Sequence, residues 1–124
     1  MDKSRVEEWL QAYGRAWETR DPRAAAKLFA DRVHYYETPF AEPAVGREGV
    51  LEYWANATQG QKDVSFSFEI VTLESDTAVV RWSAELTRAA SGSRRMLDGV
   101  FLLSFDDSGL CTELREWWHS SGAE

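Results

Sequence analysis

Four stretches in the second half of the chain have the two-residue period of β-strands that are buried on one face. In the first, apolar residues occupy every second position: Val64, Phe66, Phe68 and Ile70. Successive side chains of a strand point to opposite faces, so this pattern gives a sheet one apolar face. Three further strands are predicted over 78–88, 96–105 and 110–119, joined by short connections. Short connections favour an antiparallel sheet whose apolar face must be covered by a second layer.

The first third of the chain contains helices that can form this layer. Ser4 and Glu7 match a capping box at the start of a helix predicted over 4–20, in which apolar residues recur at helical spacing: Val6, Leu10, Tyr13 and Trp17. Asp21-Pro22 is typical of an N-cap followed by the first helical position. A short second helix is therefore predicted over 23–29.

A strand and a third helix are predicted between these helices and the sheet. Residues 33–38 are mostly β-branched or aromatic, and Pro39 ends the strand that they predict. Residues 40–45 contain a second proline and are predicted to form a loop. A third helix is predicted over 46–57, since its apolar residues have helical spacing and Gly60 follows as a stop signal.

The amino-acid composition indicates one globular domain with a ligand pocket. The chain has 124 residues, of which 44% are hydrophobic, and this is enough for one core without disulfides or metals. Its aromatic residues, six Trp, six Phe and four Tyr, are more than one small core commonly needs. Aromatic side chains also line ligand cavities, so a pocket is expected.

The charge and the cysteine content exclude several classes of protein. A net charge of −7 with scattered basic residues, of which only Arg94 and Arg95 are adjacent, argues against nucleic-acid binding. The apolar runs are too short for a membrane helix, and residues 1–5 do not begin a signal peptide. Cys111 is the sole cysteine, so no internal disulfide can form and a cytoplasmic location is expected.

The order of these elements resembles the nuclear transport factor 2-like superfamily, which includes ketosteroid isomerases, SnoaL-like polyketide cyclases and limonene epoxide hydrolases. The local matches extend over nearly the whole chain and are closest to the SnoaL-like branch: Arg20-Asp21-Pro22, Leu28-Phe29-Ala30-Asp31, Pro39, Pro43-x-x-Gly46, Gly99-Val100-Phe101, Phe105-Asp106-x-x-Gly109 and Leu114-Arg115-Glu116-Trp117-Trp118. The resemblance implies a single SnoaL-like domain over 1–124. Its fold would be α+β and cystatin-like, a curved antiparallel or mixed sheet rolled into a cone around three helices. One activity does not follow, because this scaffold hosts unrelated reactions.

The resemblance also implies which residues line the pocket between helices and sheet. Four positions that match cavity-facing positions of the isomerases are Phe101, Leu114, Glu116 and Trp118. The two-residue period of a strand agrees that the last three share one face. The residues expected to bind a ligand are Trp17, Tyr36, Thr38, Trp54, Trp82, Phe101, Leu114 and Trp118.

The catalytic groups of the ketosteroid isomerases are only partly present. Their chemistry needs a carboxylate base and two hydrogen-bond donors to the enolate oxygen. Tyr13 matches the oxyanion tyrosine, but the position of the base before Pro39 is Thr38 and that of the second donor is Phe101. A ketosteroid isomerase of the known type is therefore excluded, and Tyr13 is either a pocket donor or a core residue.

Glu116 is the strongest candidate for acid–base chemistry. It matches the last-strand acid of the epoxide hydrolases and of the SnoaL-like cyclases, although the Arg-x-Asp pair of the hydrolases becomes Arg81-x-Ser83 here. Apolar neighbours would desolvate this carboxyl and raise its pKa toward the working pH. The alternative is a structural ion pair of Glu116 with Arg81 or Arg115.

Two carboxylates have an ambiguous direction in the sequence. Glu37 points away from the face of Thr38 in a regular strand, but a bulge before Pro39 would exchange them, so Glu37 is a reserve base. Asp98 is expected on the outer face of the sheet unless Gly99 marks a bulge.

No metal or other cofactor is expected. His34 and His119 are the only histidines, and no local cluster supplies the third ligand that a zinc site requires. Cys111 has no positioned base beside it and is interpreted as a buried, inert thiol.

The sequence therefore predicts a protein that binds a small, largely apolar, polycyclic or aromatic molecule. An isomerisation, cyclisation or hydrolysis would centre on Glu116, with Tyr13 and Tyr36 assisting. A non-catalytic, dimeric ligand-binding or scaffold module is the alternative. A two-fold homodimer is predicted through the outer face of the sheet, which carries a mixture of polar and apolar side chains, among them Val79, Val100, Leu102 and Trp117.

Overall fold

The computed structural model describes residues 1–122, which form three helices and six strands. In chain order the elements are α1 (Lys3–Glu18), α2 (Pro22–Ala26), β1 (Phe29–Tyr36), β2 (Ala44–Val45), α3 (Gly46–Thr58), β3 (Gln61–Glu74), β4 (Thr77–Arg88), β5 (Arg94–Phe105) and β6 (Cys111–Gly122). Each predicted helix and strand is present. The predicted α+β class, with its helices in the first half of the chain, is confirmed.

The starts of the first two helices depend on aspartate caps. The Asp2 side chain accepts a hydrogen bond from the backbone N–H of Arg5 at 2.9 Å, so Asp2 and not Ser4 caps α1. The predicted capping box is therefore wrong, and the cap lies two residues earlier than expected. Asp21 caps α2 as predicted, since its side chain accepts from the N–H of Ala24 at 3.1 Å.

One mixed six-stranded sheet has the strand order β2-β1-β6-β5-β4-β3. Every neighbouring pair is antiparallel except β1 and β6, which are parallel. The sheet does not close, because β2 and β3 are its two edges. The predicted loop over 40–45 contains β2, which pairs with His34 and Tyr35 of β1.

The helices pack against one face of the sheet, and the core lies between these two layers. Ten of the most deeply buried side chains come from both layers: Phe29, Phe101, Leu10, Leu103, Leu114, Val6, Val33, Val50, Val80 and Cys111. Burying each larger apolar side chain contributes roughly 1.5–3 kcal/mol. Gly14 lets α1 approach β3, because a Cβ at this position would lie 2.7 Å from Cδ2 of Phe66.

Within residues 1–122, each helix is too short or too polar to cross a bilayer.

Candidate functional site

A cavity of about 280 Å³ lies between the helices and the concave face of the sheet. Helices α1 and α3 and strands from both ends of the sheet contribute its walls: Tyr13, Trp17, Tyr35, Glu37, Tyr53, Trp54, Ala57, Thr58, Gln61, Trp82, Arg88, Leu97, Glu116 and Trp118. Its size is close to the lower end, roughly 300 Å³, of small-molecule sites. Predominantly aromatic walls with a few polar groups are typical of such sites.

Glu116 is a buried carboxyl in this cavity, with only 6% of its surface exposed. It lies in register with the fully buried Phe101 on β5. Loss of solvation raises the pKa of Glu116 well above its ordinary value, and the nearby Glu37 raises it further. Hydrogen bonding with Tyr35 lowers the pKa, but by less than burial raises it.

Glu116 does not form the structural ion pair with Arg81 or Arg115 that is the alternative to an acid–base role. Arg81 pairs instead with Asp98, at 3.2 Å, and Arg115 pairs with Glu113, at 3.0 Å. No basic side chain within residues 1–122 forms a salt bridge with Glu116. The carboxyl is therefore buried without a compensating positive charge, which favours its neutral form.

Three tyrosines surround the carboxyl. The hydroxyls of Tyr13 and Tyr35 are 3.2 Å apart and share one hydrogen bond. Burial raises the pKa of Tyr13 and of Tyr35 well above the ordinary value, and it raises that of Tyr53 in the same direction. All three side chains are thus neutral phenols, which can donate a hydrogen bond to an oxygen of a ligand.

Glu37 lines the cavity, whereas Thr38 does not. Strand β1 ends at Tyr36, so the strict alternation of a strand no longer applies to these two residues. Trp118 holds Glu37 in place, because its Nε1 donates to the Glu37 backbone oxygen at 3.1 Å and to Oε2 at 3.2 Å. The cavity therefore contains two carboxyl groups, one buried and one partly exposed.

Tyr36 lies on the opposite face of β1 from the cavity. The guanidinium carbon of Arg115 is 3.9 Å from the centre of its ring, in a cation–π contact. Tyr35 takes the inward position that was expected for Tyr36. Val33, two residues before Tyr35, is buried on the same face.

The other residues expected to bind a ligand fall into two groups. The cavity is lined by the four tryptophans Trp17, Trp54, Trp82 and Trp118. Phe101 and Leu114 are fully buried behind it and are not part of its surface. Phe101 supports the wall, because its ring centre lies 5.3 Å from that of Tyr13 and 5.2 Å from that of Trp82.

Two indole groups of the wall have unsatisfied donors. The Nε1 atoms of Trp54 and Trp82 are buried and have no hydrogen-bond partner within the described part of the chain. A buried donor without a partner is uncommon and costs about 1–3 kcal/mol. Sequence patterns gave no signal for this feature.

The remaining polar candidates lie outside the cavity. Asp98 is exposed on the outer face, and the register of β5 is regular through Gly99, so no bulge occurs there. Cys111 is buried, its Sγ donates to the Glu113 carbonyl at 3.2 Å, and burial raises the pKa of its thiol. In the stretch from Met1 to Gly122, His, Cys, Asp and Glu do not form a group of three that could hold a metal ion.

The order of the helices and strands and the cavity between them give the chain a ketosteroid isomerase-like, nuclear transport factor 2-like fold. Within this fold class, the model of the SnoaL-like domain matches residues 9–114, so the chain belongs to the SnoaL-like family. None of the curated protein sequences compared with the chain matches it significantly.

Solved structures with the same fold include enzymes and a binding protein. A Δ5-3-ketosteroid isomerase from Mycobacterium sp. is 19% identical, with a TM-score of 0.81 over 96% of this chain and 98% of that chain. SalBIII, an epoxide hydrolase/cyclase-like enzyme of pyran ring formation in salinomycin, is 17% identical, with a TM-score of 0.83 over 98% of both chains. A computationally designed 17-OHP binder is 21% identical, with a TM-score of 0.80 over 95% of this chain and 96% of that chain. At these identities the likeness shows the fold alone.

Proposed function

We propose that the protein binds a small, largely apolar, aromatic or polycyclic molecule in the cavity and catalyses an acid–base reaction on it. The reaction would be an isomerisation, a cyclisation or a hydrolysis. The observation that carries this proposal is the Glu116 carboxyl, 6% exposed and without a basic partner in the described chain, at the wall of an aromatic cavity. Strongly perturbed carboxyl groups in enclosed cavities are concentrated at catalytic sites.

The two carboxyl groups of the cavity have complementary roles in this proposal. Glu116, held neutral by burial, donates its proton to the substrate oxygen that gains negative charge, such as an epoxide or enolate oxygen. Glu37, as carboxylate, accepts a proton from the substrate carbon or from an attacking water. In a hydrolysis, one proton is given and one is taken, so a proton transfer from Glu37 to Glu116, directly or through water, restores the starting state. In an isomerisation, Glu37 returns its proton to a different carbon of the substrate, and Glu116 recovers its proton from the enol oxygen.

The tyrosines and tryptophans position the substrate in this scheme. Tyr13 holds the hydroxyl of Tyr35 through their mutual hydrogen bond, and Tyr35 in turn interacts with Glu116. Tyr13 therefore acts on the acid through Tyr35, and it is a positioning residue unless its hydroxyl also contacts the substrate. The rings of Trp17 and Trp82 offer flat apolar surfaces against which an aromatic substrate can pack.

Enzymes that share the fold support the class of reaction. The comparison with SalBIII favours ring formation or epoxide opening, and the comparison with the ketosteroid isomerase favours a proton shift. Thr38 and Phe101 stand where the isomerases have catalytic carboxyl groups, so the proton-shift chemistry would have to use Glu37 and Glu116 instead.

The experiment is a turnover assay with two probe substrates, a β,γ-unsaturated cyclic ketone and an aryl epoxide. Glu116→Gln is expected to lower the rate on the accepted probe by about 100-fold to 10,000-fold, the usual contribution of general acid–base catalysis. Glu113→Gln is the matched control, since it makes the same change on the same strand at a residue paired with Arg115. Equal rates for wild type and Glu116→Gln would refute the acid role.

Non-catalytic ligand binding is the second candidate function. It is favoured by the absence of the isomerase carboxyl groups at Thr38 and Phe101, and by the designed 17-OHP binder, which has this fold. The distinguishing result is binding without turnover: a ligand that quenches tryptophan fluorescence equally in wild type and Glu116→Gln, with neither probe converted. Such a result would support the binding module and contradict the enzyme.

The proposal includes a homodimer that forms through the outer face of the sheet, and a cytoplasmic location. It exposes 57% of Met96, 46% of Trp117 and 38% of Val100, which a second copy of the chain could cover. The single unpaired thiol of Cys111 fits a reducing compartment. Light scattering should give twice the chain mass, and Trp117→Arg should give the monomer mass; a monomeric wild type at micromolar concentration would contradict the dimer.

A further inference from the structure

A second cavity, of about 340 Å³, adjoins the first at its mouth. The two cavities share five lining residues: Ala57, Gln61, Arg88, Leu97 and Trp118. Arg88 and Arg95 both line the outer cavity, and its lining within residues 1–122 includes neither Asp nor Glu. Arg88 thus places a positive charge at this mouth, in a chain whose net charge is −7. The mouth is therefore the part of the cavity where an anionic group of a ligand would be attracted.

Arg88 differs from three other arginines of the sheet. Arg81, Arg94 and Arg115 each pair with a carboxylate. Within residues 1–122, the guanidinium of Arg88 has neither a salt bridge nor a hydrogen bond, although its backbone N–H donates to Ser93. Arg88 lies at the end of β4 and lines both cavities, so its fork of donors is free to bind a carboxylate of a ligand.

Gln61 provides a second donor beside Arg88, with which it is in register across β3 and β4. Trp17 Nε1 donates to Oε1 of Gln61 at 2.8 Å. An indole N–H can only donate, so this bond fixes which end of the amide is the oxygen. The Gln61 amide nitrogen is thereby left with its two N–H donors, and it too lines both cavities.

The mouth of the cavity and Glu116 lie at different positions along the strands of the sheet. Glu116 is in register with Phe101, and Phe101 is in register with Val80, near the start of β4. Arg88 is the last residue of the same strand. A single ligand could therefore contact Glu116 at one end and Arg88 at the other, with Trp17 and Trp82 along its length.

We propose that Arg88 and Gln61 form a subsite for a carboxylate, so that the ligand of this cavity is an amphipathic aromatic or polycyclic acid. This inference rests on the proposed function, because it assigns the substrate class of the same cavity. The carboxylate accepts hydrogen bonds from the Arg88 guanidinium and the Gln61 amide at the mouth. The apolar body extends inward, and the reacting end lies at Glu116.

The experiment compares two probes with the same aromatic body, the anion 2-naphthaleneacetate and its neutral methyl ester. Dissociation constants are measured by tryptophan fluorescence and by calorimetry at neutral pH and low salt. Wild type is expected to bind the acid about five- to tenfold more tightly than the ester, as for a hydrogen-bonded charge that is partly exposed. The preference should shrink as salt is added, because the mouth is open to solvent.

Two variants separate the subsite from general effects. Arg88→Gln should lower the affinity for the acid to that for the ester and leave the affinity for the ester within about twofold. Arg81→Gln makes the same charge change on the outer face, where Arg81 pairs with Asp98, and should keep the preference for the acid. Unchanged ester binding also shows that Arg88→Gln is folded.

The outcomes distinguish this inference from the proposed function. Equal affinities of wild type for the acid and the ester would overturn the carboxylate subsite alone, since the cavity would still bind an aromatic body. An equal loss of acid binding in Arg88→Gln and Arg81→Gln would also overturn it, because the effect would then be one of net charge. If neither probe bound, both the subsite and the proposed aromatic binding would be wrong.

Discussion

Replacing Glu116 by Gln is expected to stabilise the folded protein at neutral pH, by an amount that grows with pH. The carboxyl is buried without a basic partner, and burial, followed by the charge of Glu37, raises its pKa well above the ordinary 4.5. The unfolded chain ionises this group at its ordinary pKa, whereas the folded chain keeps the proton to higher pH. Gln preserves the shape of the side chain but has no proton to lose.

The sign and the size of the effect follow from proton linkage. Between the ordinary and the raised pKa of Glu116, the folded state binds more protons than the unfolded state, so the free energy of unfolding of wild type falls as pH rises. The slope in this window is about 1.4 kcal/mol per pH unit for one group. Below pH 4.5 both states are protonated and the contribution of Glu116 disappears. Each pH unit above that value should therefore add about 1.4 kcal/mol to the advantage of Glu116→Gln, until the folded carboxyl ionises.

The measurement is urea denaturation followed by tryptophan fluorescence at several pH values between about 4 and 8. Glu42→Gln, the same substitution in an exposed loop, controls for the change in net charge. The informative quantity is the difference in the free energy of unfolding between Glu116→Gln and Glu42→Gln, followed as a function of pH. If Glu116→Gln were less stable than wild type by a constant amount at all pH values, the buried, neutral carboxyl would be refuted.

Two further substitutions test the surroundings of the cavity. Glu37→Gln should lower the pKa of Glu116, because it removes a neighbouring negative charge, so the pH at which stability stops falling should move down in the same denaturation series; an unchanged profile would contradict the coupling. Gly99→Ala should lower the free energy of unfolding by about 1–3 kcal/mol, since its Cβ would lie 2.6 Å from the Trp117 carbonyl oxygen. Gly60→Ala, where a Cβ meets nothing within 4 Å, is the matched control, and an equal effect of both alanines would contradict the crowding at Gly99.

The elements that sequence patterns predict well are those whose signals are local. Strands β3 to β6 follow from alternation and short turns, and α1 and α3 from helical spacing. The sequence predicts that β1 starts at residue 33, but the strand begins at Phe29. Phe29 pairs with Cys111, which is far away in the chain, and no local pattern reports a parallel pairing of this kind. Strand β2 has only two residues and pairs with β1, so the apparent loop concealed it.

The same distinction between local and distant information applies to the cavity. The inward direction of Glu116 could be predicted from Leu114, which lies two residues before it on the same strand. Residues two apart share a face of a strand, and an apolar leucine is expected on the buried face. The choice between Tyr35 and Tyr36 depends on the face of β1 that meets the helices. The position of Glu37 depends on where β1 ends and on the hydrogen bonds from Trp118, which joins the site from the other end of the chain.

The difference in environment between the two cavity carboxyls is what could make them an acid and a base. Two carboxylates in one enclosed space repel each other, so the proton is retained by the group that is harder to solvate. Glu116 is that group, since it is almost fully buried, whereas Glu37 is partly exposed and accepts a hydrogen bond from Trp118. A ligand that displaces water from the mouth would strengthen the interaction between them, because the local dielectric constant falls. Binding of an apolar substrate would thereby reinforce the division of roles that we propose for the two carboxyls.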